Sequence, residues 1–307
     1  MMKMLDDFPR NQAIQRRTSP GGIPDRLKYL GARTRRTASP PARTDRRPAN
    51  MPSMTASYTF GDTATAEQRL DLLASVFDAP SRAFLAAMVT EPPRLACDLG
   101  CGPGNTTRMI GEVTGALRVA GLDASEAFVR SAAARGAGDF RVWEAGSPLP
   151  VTGPDLIYAR LLLAHLPGAP RLAAAWASQL APGGRLLLEE VERIDTGSPV
   201  FAEYLAMTVE RVRTSGADMY AGPLLASLPL AADCRVTRDQ VVAHPVPPAD
   251  AASMFLLNLS VWRDWGSEAF GQAAVARIER SLAEIRAGRA AAEITWQLRQ
   301  VAVSRDR

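Results

Sequence analysis

The fold reading turns on Cys97-Asp98-Leu99-Gly100-Cys101-Gly102-Pro103-Gly104-Asn105-Thr106-Thr107. A short apolar run over 94–99 precedes the glycines and an amphipathic run over 106–113 follows, so they join a strand to a helix. Glycines at alternate positions let the backbone approach a ligand where a Cβ would collide. The same alternation continues downstream. Residues 117–122 read as a strand ending at Asp123, 126–135 as a helix, and 140–143 and 155–158 as strands. A helix over 171–180, the turn Pro182-Gly183-Gly184 and a strand over 185–191 come next. Strands alternating with helices at this spacing imply right-handed βαβ units and an α/β, doubly wound, mostly parallel sheet. Late strands over 234–242 and 294–303 bring the expected number to seven.

Outside this region the chain reads as helices around the sheet. Leu70, Leu73, Val76 and Phe77 repeat at helical spacing, and Phe84, Leu85, Met88 and Val89 do so after Pro80. Phe201, Tyr204, Leu205, Thr208 and Val212 mark another helix, residues 224–228 a short one, and 251–265 a third. Val275, Ile278, Leu282 and Ile285 form one stripe. Helical cap insertions are therefore expected at about 198–232 and 250–288 of a single domain over 56–307.

The formal charge of +4 over 307 residues is unevenly spread. Residues 1–55 hold 12 Lys and Arg against 4 Asp and Glu, whereas 56–307 hold 24 against 28 and contain no lysine. Interrupted by seven prolines, the first 55 residues read as a disordered basic tail. It suits a transit peptide, a nucleic-acid arm, or a start upstream of a native one at Met51 or Met54; the abrupt change in composition there favours the last. Three cysteines (Cys97, Cys101, Cys234) are too few for a disulfide framework, and two histidines, His165 and His244, make a metal centre an unsuitable reading. No apolar run approaches the ~20 residues of a membrane span. A cytoplasmic protein is expected.

Asp123 lies 19 residues after Gly104, where a carboxylate can accept from both ribose hydroxyls of an adenosine-containing ligand, or else cap the following helix. The stretch Asp98 to Gly104 resembles motif I of class I S-adenosylmethionine-dependent methyltransferases. It departs from the nicotinamide fingerprint, whose third glycine comes one residue later. The likeness continues through Gly121-Leu122-Asp123-Ala124-Ser125, through Asp155-Leu156-Ile157-Tyr158-Ala159-Arg160-Leu161 to His165, and through Leu180-Ala181-Pro182-Gly183-Gly184-Arg185. Roughly residues 94–191 carry it.

The resemblance implies S-adenosylmethionine as cofactor and gives residues roles by position. Gly100, Cys101, Gly102 and Gly104 would border its methionine part, Asp98 would face the amino group, and Asp123 and Ala124 would hold the ribose. Arg160 and Leu161 would line the sulfonium side. Many relatives carry Gly-Asp-Ala after the third strand, with the Asp on the adenine amino group. Here Ala145, between Glu144 and Gly146, takes that place, leaving Ser147, Glu144 or a backbone carbonyl for the contact.

Methyl transfer asks the protein to align donor and acceptor and, for a weakly acidic acceptor, to supply a base. His165 is the candidate base by residue type, but histidine recurs in this context among relatives with different substrates, which favours a structural role. His244, beside Pro245 and Pro247, reads as a loop residue. The acidic body and the missing Asn/Asp-Pro-Pro-Tyr/Phe signature argue against nucleic acid as acceptor. The expected acceptor is a small organic molecule, methylated on O, N or C, as in bacterial specialised metabolism. Tyr58, Phe60, Tyr204, Tyr220, Phe255 and Trp262 are the pocket candidates, with Phe201, Met207, Met254 and Trp265 nearby in sequence. The same side chains could serve as plain core or as a homodimer interface. The other readings are a non-catalytic binder of S-adenosylmethionine or S-adenosylhomocysteine, and a nicotinamide-dependent oxidoreductase.

Overall fold

The computed structural model describes residues 63–307, apart from Ala137 and Ser215. The basic tail, Met51, Met54, Tyr58 and Phe60 lie outside the described residues. Seven strands form one sheet: β1 (Ala96–Leu99), β2 (Val119–Asp123), β3 (Asp139–Val142), β4 (Leu156–Arg160), β5 (Arg185–Asp195), β6 (Cys234–Pro245) and β7 (Thr295–Arg305). Their spatial order is β3-β2-β1-β4-β5-β7-β6, with β1 to β5 parallel and β7 antiparallel to both its neighbours. The expected α/β, mostly parallel sheet of seven strands is the observed one.

Central strands of such a sheet are buried on both faces, which is why β1 is buried at all four positions. On one face, α2 (Asp78–Met88) and α3 (Asn105–Thr114) lay Phe84, Leu85, Met109 and Ile110 on Ala96, Leu156, Tyr158 and Leu187. On the other, α5 (Ala169–Ala177) lays Trp176 against Leu99, Ile157, Leu186 and Leu188. Helix α4 (Glu126–Arg135) begins at Ser125, whose hydroxyl accepts from Phe128 N at 3.2 Å.

A separate apolar cluster forms the cap. It joins Phe77 with residues of α6 (Pro199–Arg213), α7 (Pro248–Phe270) and α8 (Gln272–Arg286), and with Trp296 and Leu298 of β7. Leu72 and Leu73 of α1 (Ala64–Val76) pack against its edge. Helix α7 kinks at Trp262 (φ −121°, ψ 29°). No helix among the described residues is long and apolar enough to cross a membrane.

Three local expectations are corrected. The break between α1 and α2 falls at Phe77, while Pro80 sits in the first turn of α2, where its missing N–H costs no helical bond. Residues 224–228 give only a 3₁₀ turn, Pro223–Ala226, because Pro223 and Pro229 leave too short a run to nucleate an α-helix. His244 lies in β6 rather than in a loop. That strand is at the sheet edge, where Pro245 is tolerated, and His244 Nε2 meets the Val76 carbonyl at 2.8 Å.

Candidate functional site

Strand order reverses between β1 and β4, and a doubly wound sheet opens its crevice at the carboxyl ends of such strands. The glycine loop leaves β1 there. Gly100, Gly102 and Gly104 take φ of 69°, 51° and 90°, the left-handed region that side chains resist. Gly100 N and Cys101 N both donate to the Leu122 carbonyl, at 2.8 and 3.1 Å. Gly102 N donates to Asp123 Oδ2 at 2.9 Å, which ties the loop to the end of β2. Asp123 Oδ1 accepts from Ser125 N at 2.9 Å, and the exposed Ala124 lies between them. Ser125, not Asp123, is the cap of α4.

Asp98 is buried beneath this loop, and its Oδ2 accepts from the hydroxyls of Thr106 (2.5 Å) and Thr107 (2.7 Å). Burial outweighs the two donors and pushes its carboxyl up to about 6. Arg160 faces the same side of the sheet, but its Nη1 turns under α2 to donate to Ser81 Oγ (3.0 Å) and the Phe77 carbonyl (3.4 Å). In register, Arg160, Glu189, Gln300 and Gln240 stand side by side across β4, β5, β7 and β6. Glu189 accepts from Ser81 Oγ and Gln300 Nε2, both at 2.5 Å, and Gln240 Nε2 donates to Gln300 Oε1 at 2.7 Å. Arg160 also lines a polar cleft of about 270 Å³ between α1, α2 and α3, together with Asp71, Arg82, Asn105 and Arg108.

The turn after β3 lies beside Asp123, whose carbonyl accepts from Trp143 N at 2.8 Å. Ser147 N donates to the Glu144 carbonyl at 2.8 Å, and the Ala145 carbonyl accepts from Trp176 Nε1 at 3.0 Å. Ala145 thus packs toward the core, while Glu144, Gly146 and Ser147 are exposed.

Beyond β4 the chain turns sharply. Leu161 has φ 53°, and it is the only non-glycine among the described residues with positive φ. The next amides are held by Glu190 Oε1, which accepts from Leu162 N (2.9 Å) and Leu163 N (2.7 Å). Glu190 is fully buried, its Oε2 has no hydrogen-bond partner among the described residues, and burial pushes its carboxyl up to about 8.

Leu161 and His165 also line a second, mainly apolar cavity of about 110 Å³ under the cap. Burial and the nearby charge of Arg69 push the His165 imidazole down to about 4, so it is neutral and a weak base. Of the pocket candidates, Tyr204 and Phe255 line the cavity, stacked with ring centroids 4.0 Å apart. Trp262 is buried behind Tyr204, at 6.0 Å, and Tyr220 packs on the flank of the cluster. Neither lines the cavity. Arg69, Thr208 and Asn258 also line it and were not among the sequence candidates. At Asn258 a polar residue interrupts the apolar run of 254–259, a signal that could have found it, whereas Arg69 follows Glu67 and Gln68 and carries no such mark.

The two halves share their walls. A Cβ on Gly100 would lie 2.8 Å from Leu162, and one on Gly102 would lie 3.3 Å from Leu70. The adjacent residues Leu161 and Arg69 line the cavity.

A family model described as a methyltransferase domain matches residues 68–234, just over half of the chain. A trans-aconitate 2-methyltransferase of Methylobacterium radiotolerans is 42% identical over 111 residues, covering 36% of this chain and 43% of that protein. The enzyme of the same name from Streptomyces avermitilis is 38% identical over 135 residues, covering 42% and 46%. The chain thus spans less than half the length of these relatives. Among solved structures, coclaurine N-methyltransferase bound to N-methylheliamine and S-adenosylhomocysteine aligns with a TM-score of 0.44 at 16% identity, over 76% of this chain and 72% of that one.

Proposed function

Because this chain belongs to the methyltransferase domain family, we propose that it transfers a methyl group from S-adenosylmethionine to a small organic acceptor. The observation that supports this best is the shared wall between the glycine loop and the apolar cavity: neighbouring residues of α1 and of the β4 exit face one and the other. The residues suit the cofactor. The backbone at Gly102 is bare, and Asp123, whose oxygens accept from Gly102 N and Ser125 N, stands at the end of β2, where a carboxylate can meet ribose hydroxyls. S-adenosylmethionine, when bound, supplies a methyl group already activated on a sulfonium.

The chain's own residues then position and exclude. Asp98 offers negative charge toward an ammonium beneath the loop, with Thr106 and Thr107 fixing its carboxylate. Arg160 donates to Ser81, so its cation is turned away under α2 and not set beside a sulfonium. Since Ala145 carries no polar side chain, Glu144, Ser147 or a backbone group would meet the adenine. Leu161 and His165 would stand where cofactor and acceptor meet, the neutral imidazole orienting the acceptor rather than deprotonating it.

The relatives' name makes trans-aconitate the first acceptor to test. Calorimetry with S-adenosylmethionine, S-adenosylhomocysteine and NADH decides the cofactor: tight binding of the first two is expected, and binding of neither overturns the reading. Turnover, read by mass spectrometry as one added methyl on trans-aconitate or a panel of small phenols, amines and acids, separates an enzyme from a non-catalytic binder. The three cysteines, free and buried, suit a reducing cytoplasm. A homodimer through the cap belongs to the same proposal, and a monomer in sedimentation equilibrium would remove it.

A further inference from the structure

Resting on that reading, we propose that the cavity under the cap selects a single-ring aromatic acceptor carrying a hydroxyl, with Tyr204 and Phe255 packing the ring and Asn258 reading the hydroxyl. The cavity holds about 110 Å³. An apolar cavity of about 150 Å³ is enough for benzene, which sets the scale at one ring. Tyr204 and Phe255 both line it and are stacked on each other, with centroids 4.0 Å apart and planes 20° apart, so they present a fixed aromatic wall. Leu73, Leu161 and Met254 supply hydrocarbon around it. Leu161 is followed by Leu162, which lies against Gly100, so a ring held here would stand beside the glycine loop.

Asn258 gives this wall its polar specificity. It is 7% exposed and lines the cavity, its Nδ2 donates to Tyr204 Oη at 2.7 Å, and its Oδ1 has no hydrogen-bond partner among the described residues. Turning the amide over would let the Tyr204 hydroxyl donate to its oxygen and would leave Nδ2 unbonded instead. One polar atom of Asn258 is open in either orientation, and burying it unbonded is costly. A ligand hydroxyl answers both cases, because it can donate to the oxygen or accept from the nitrogen. A methyl group of similar size answers neither. Nothing is asked of Thr208, Arg69 or His165, which also line the cavity: Thr208 Oγ1 donates to the Tyr204 carbonyl at 3.0 Å, and Arg69 and His165 have interactions of their own.

The test measures binding of phenol and of toluene, which differ by a hydroxyl in place of a methyl, to the full chain saturated with S-adenosylhomocysteine. Phenol should bind at least fivefold more tightly. Tyr204→Phe keeps the ring and leaves Asn258 both of its polar atoms, so the preference should persist. Adding Asn258→Leu should bring the ratio to within about twofold of one without changing the affinity for S-adenosylhomocysteine. Should that double variant fail to fold, the side-chain amide resonances of Asn258 in the wild-type chain give an independent reading, and phenol should move them further than toluene does. Equal binding of the two ligands by the wild-type chain overturns the proposal. It would mean that the Asn258 oxygen is met from within, for which Trp262 Nε1, buried and unpartnered four residues along α7, is a candidate. A preference that survives the double substitution, its loss with Tyr204→Phe alone, equal amide shifts, or tighter binding of trans-aconitate than of phenol overturns it as well. Failure of the wild-type chain to bind S-adenosylhomocysteine at all is a different outcome, and it would sink the methyltransferase reading.

Discussion

Asp123 serves two purposes with one carboxylate, and its replacement by alanine removes both. Its oxygens hold Gly102 N and Ser125 N, so the side chain shapes the glycine loop as well as offering acceptors to a ribose. Asp123→Ala should weaken S-adenosylhomocysteine by about 1–3 kcal/mol, measured by calorimetry; an unchanged affinity would refute the ribose role. Leu161 poses the opposite question. A leucine at φ 53° pays roughly 1 kcal/mol or more in strain. It persists because Glu190 clamps the two amides that follow and Leu161 N itself donates to the Glu189 carbonyl at 2.9 Å. Leu161→Gly relieves the strain but removes a cavity wall. Its melting temperature should match or exceed the parent's while turnover of an accepted substrate falls; a lower melting temperature would show that the side chain's packing outweighs the backbone strain.

At the scale of elements, β2 and β3 meet with almost no clearance. A Cβ on Gly121 would sit 2.5 Å from Phe140 Cδ1 and 2.9 Å from Thr107 Oγ1, so the bare backbone of β2 lets Phe140 lie against α3. Gly121→Ala should cost about 1–3 kcal/mol by overpacking. Phe140→Leu in the same chain should recover part of that in urea unfolding, and a strictly additive pair would argue against the contact. This glycine was legible in the sequence only as part of Gly121-Leu122-Asp123. Its neighbour in space is 19 residues away, and the pairing depends on register rather than on local pattern. The alternating strands and helices were legible because their apolar period repeats, and the glycine loop because its spacing is unusual. The polar row Arg160, Glu189, Gln300 and Gln240 was not. Its members come from four strands, and only Glu189 and Glu190, two acids closing an apolar run, mark it in one dimension. Cavity residues divided on similar grounds: Tyr204 and Phe255 were found as aromatics on helical faces, whereas Trp262 and Tyr220, alike in sequence, pack behind the wall.

For the molecule as a whole, the buried titratable groups set how stability should follow pH, and their signs differ. The His165 imidazole is held down at about 4, below its ordinary 6.5. The unfolded chain takes up that proton first, so its contribution is present above pH 6.5 and is lost as pH falls toward 4. Asp98 and Glu190 are held up, at about 6 and about 8. Each keeps its proton in the folded state after the unfolded chain has lost it. Their contributions are therefore complete at low pH and decline as pH rises, through about 6 for Asp98 and through about 8 for Glu190. Between pH 6.5 and 8 the histidine and Asp98 terms flatten out, while that of Glu190 goes on falling, by at most about 1.4 kcal/mol per pH unit. Glu190→Gln mimics the protonated acid: its amide oxygen can still accept from Leu162 N and Leu163 N, and the group carries no charge at any pH. Every other titrating group is common to both chains, so the difference between them isolates Glu190. Urea unfolding at pH 6.5 and 8 should show the variant gaining stability relative to the wild type as pH rises. Parallel curves would mean that Glu190 is already ionised in the folded state, with its second oxygen satisfied by a group such as a buried water.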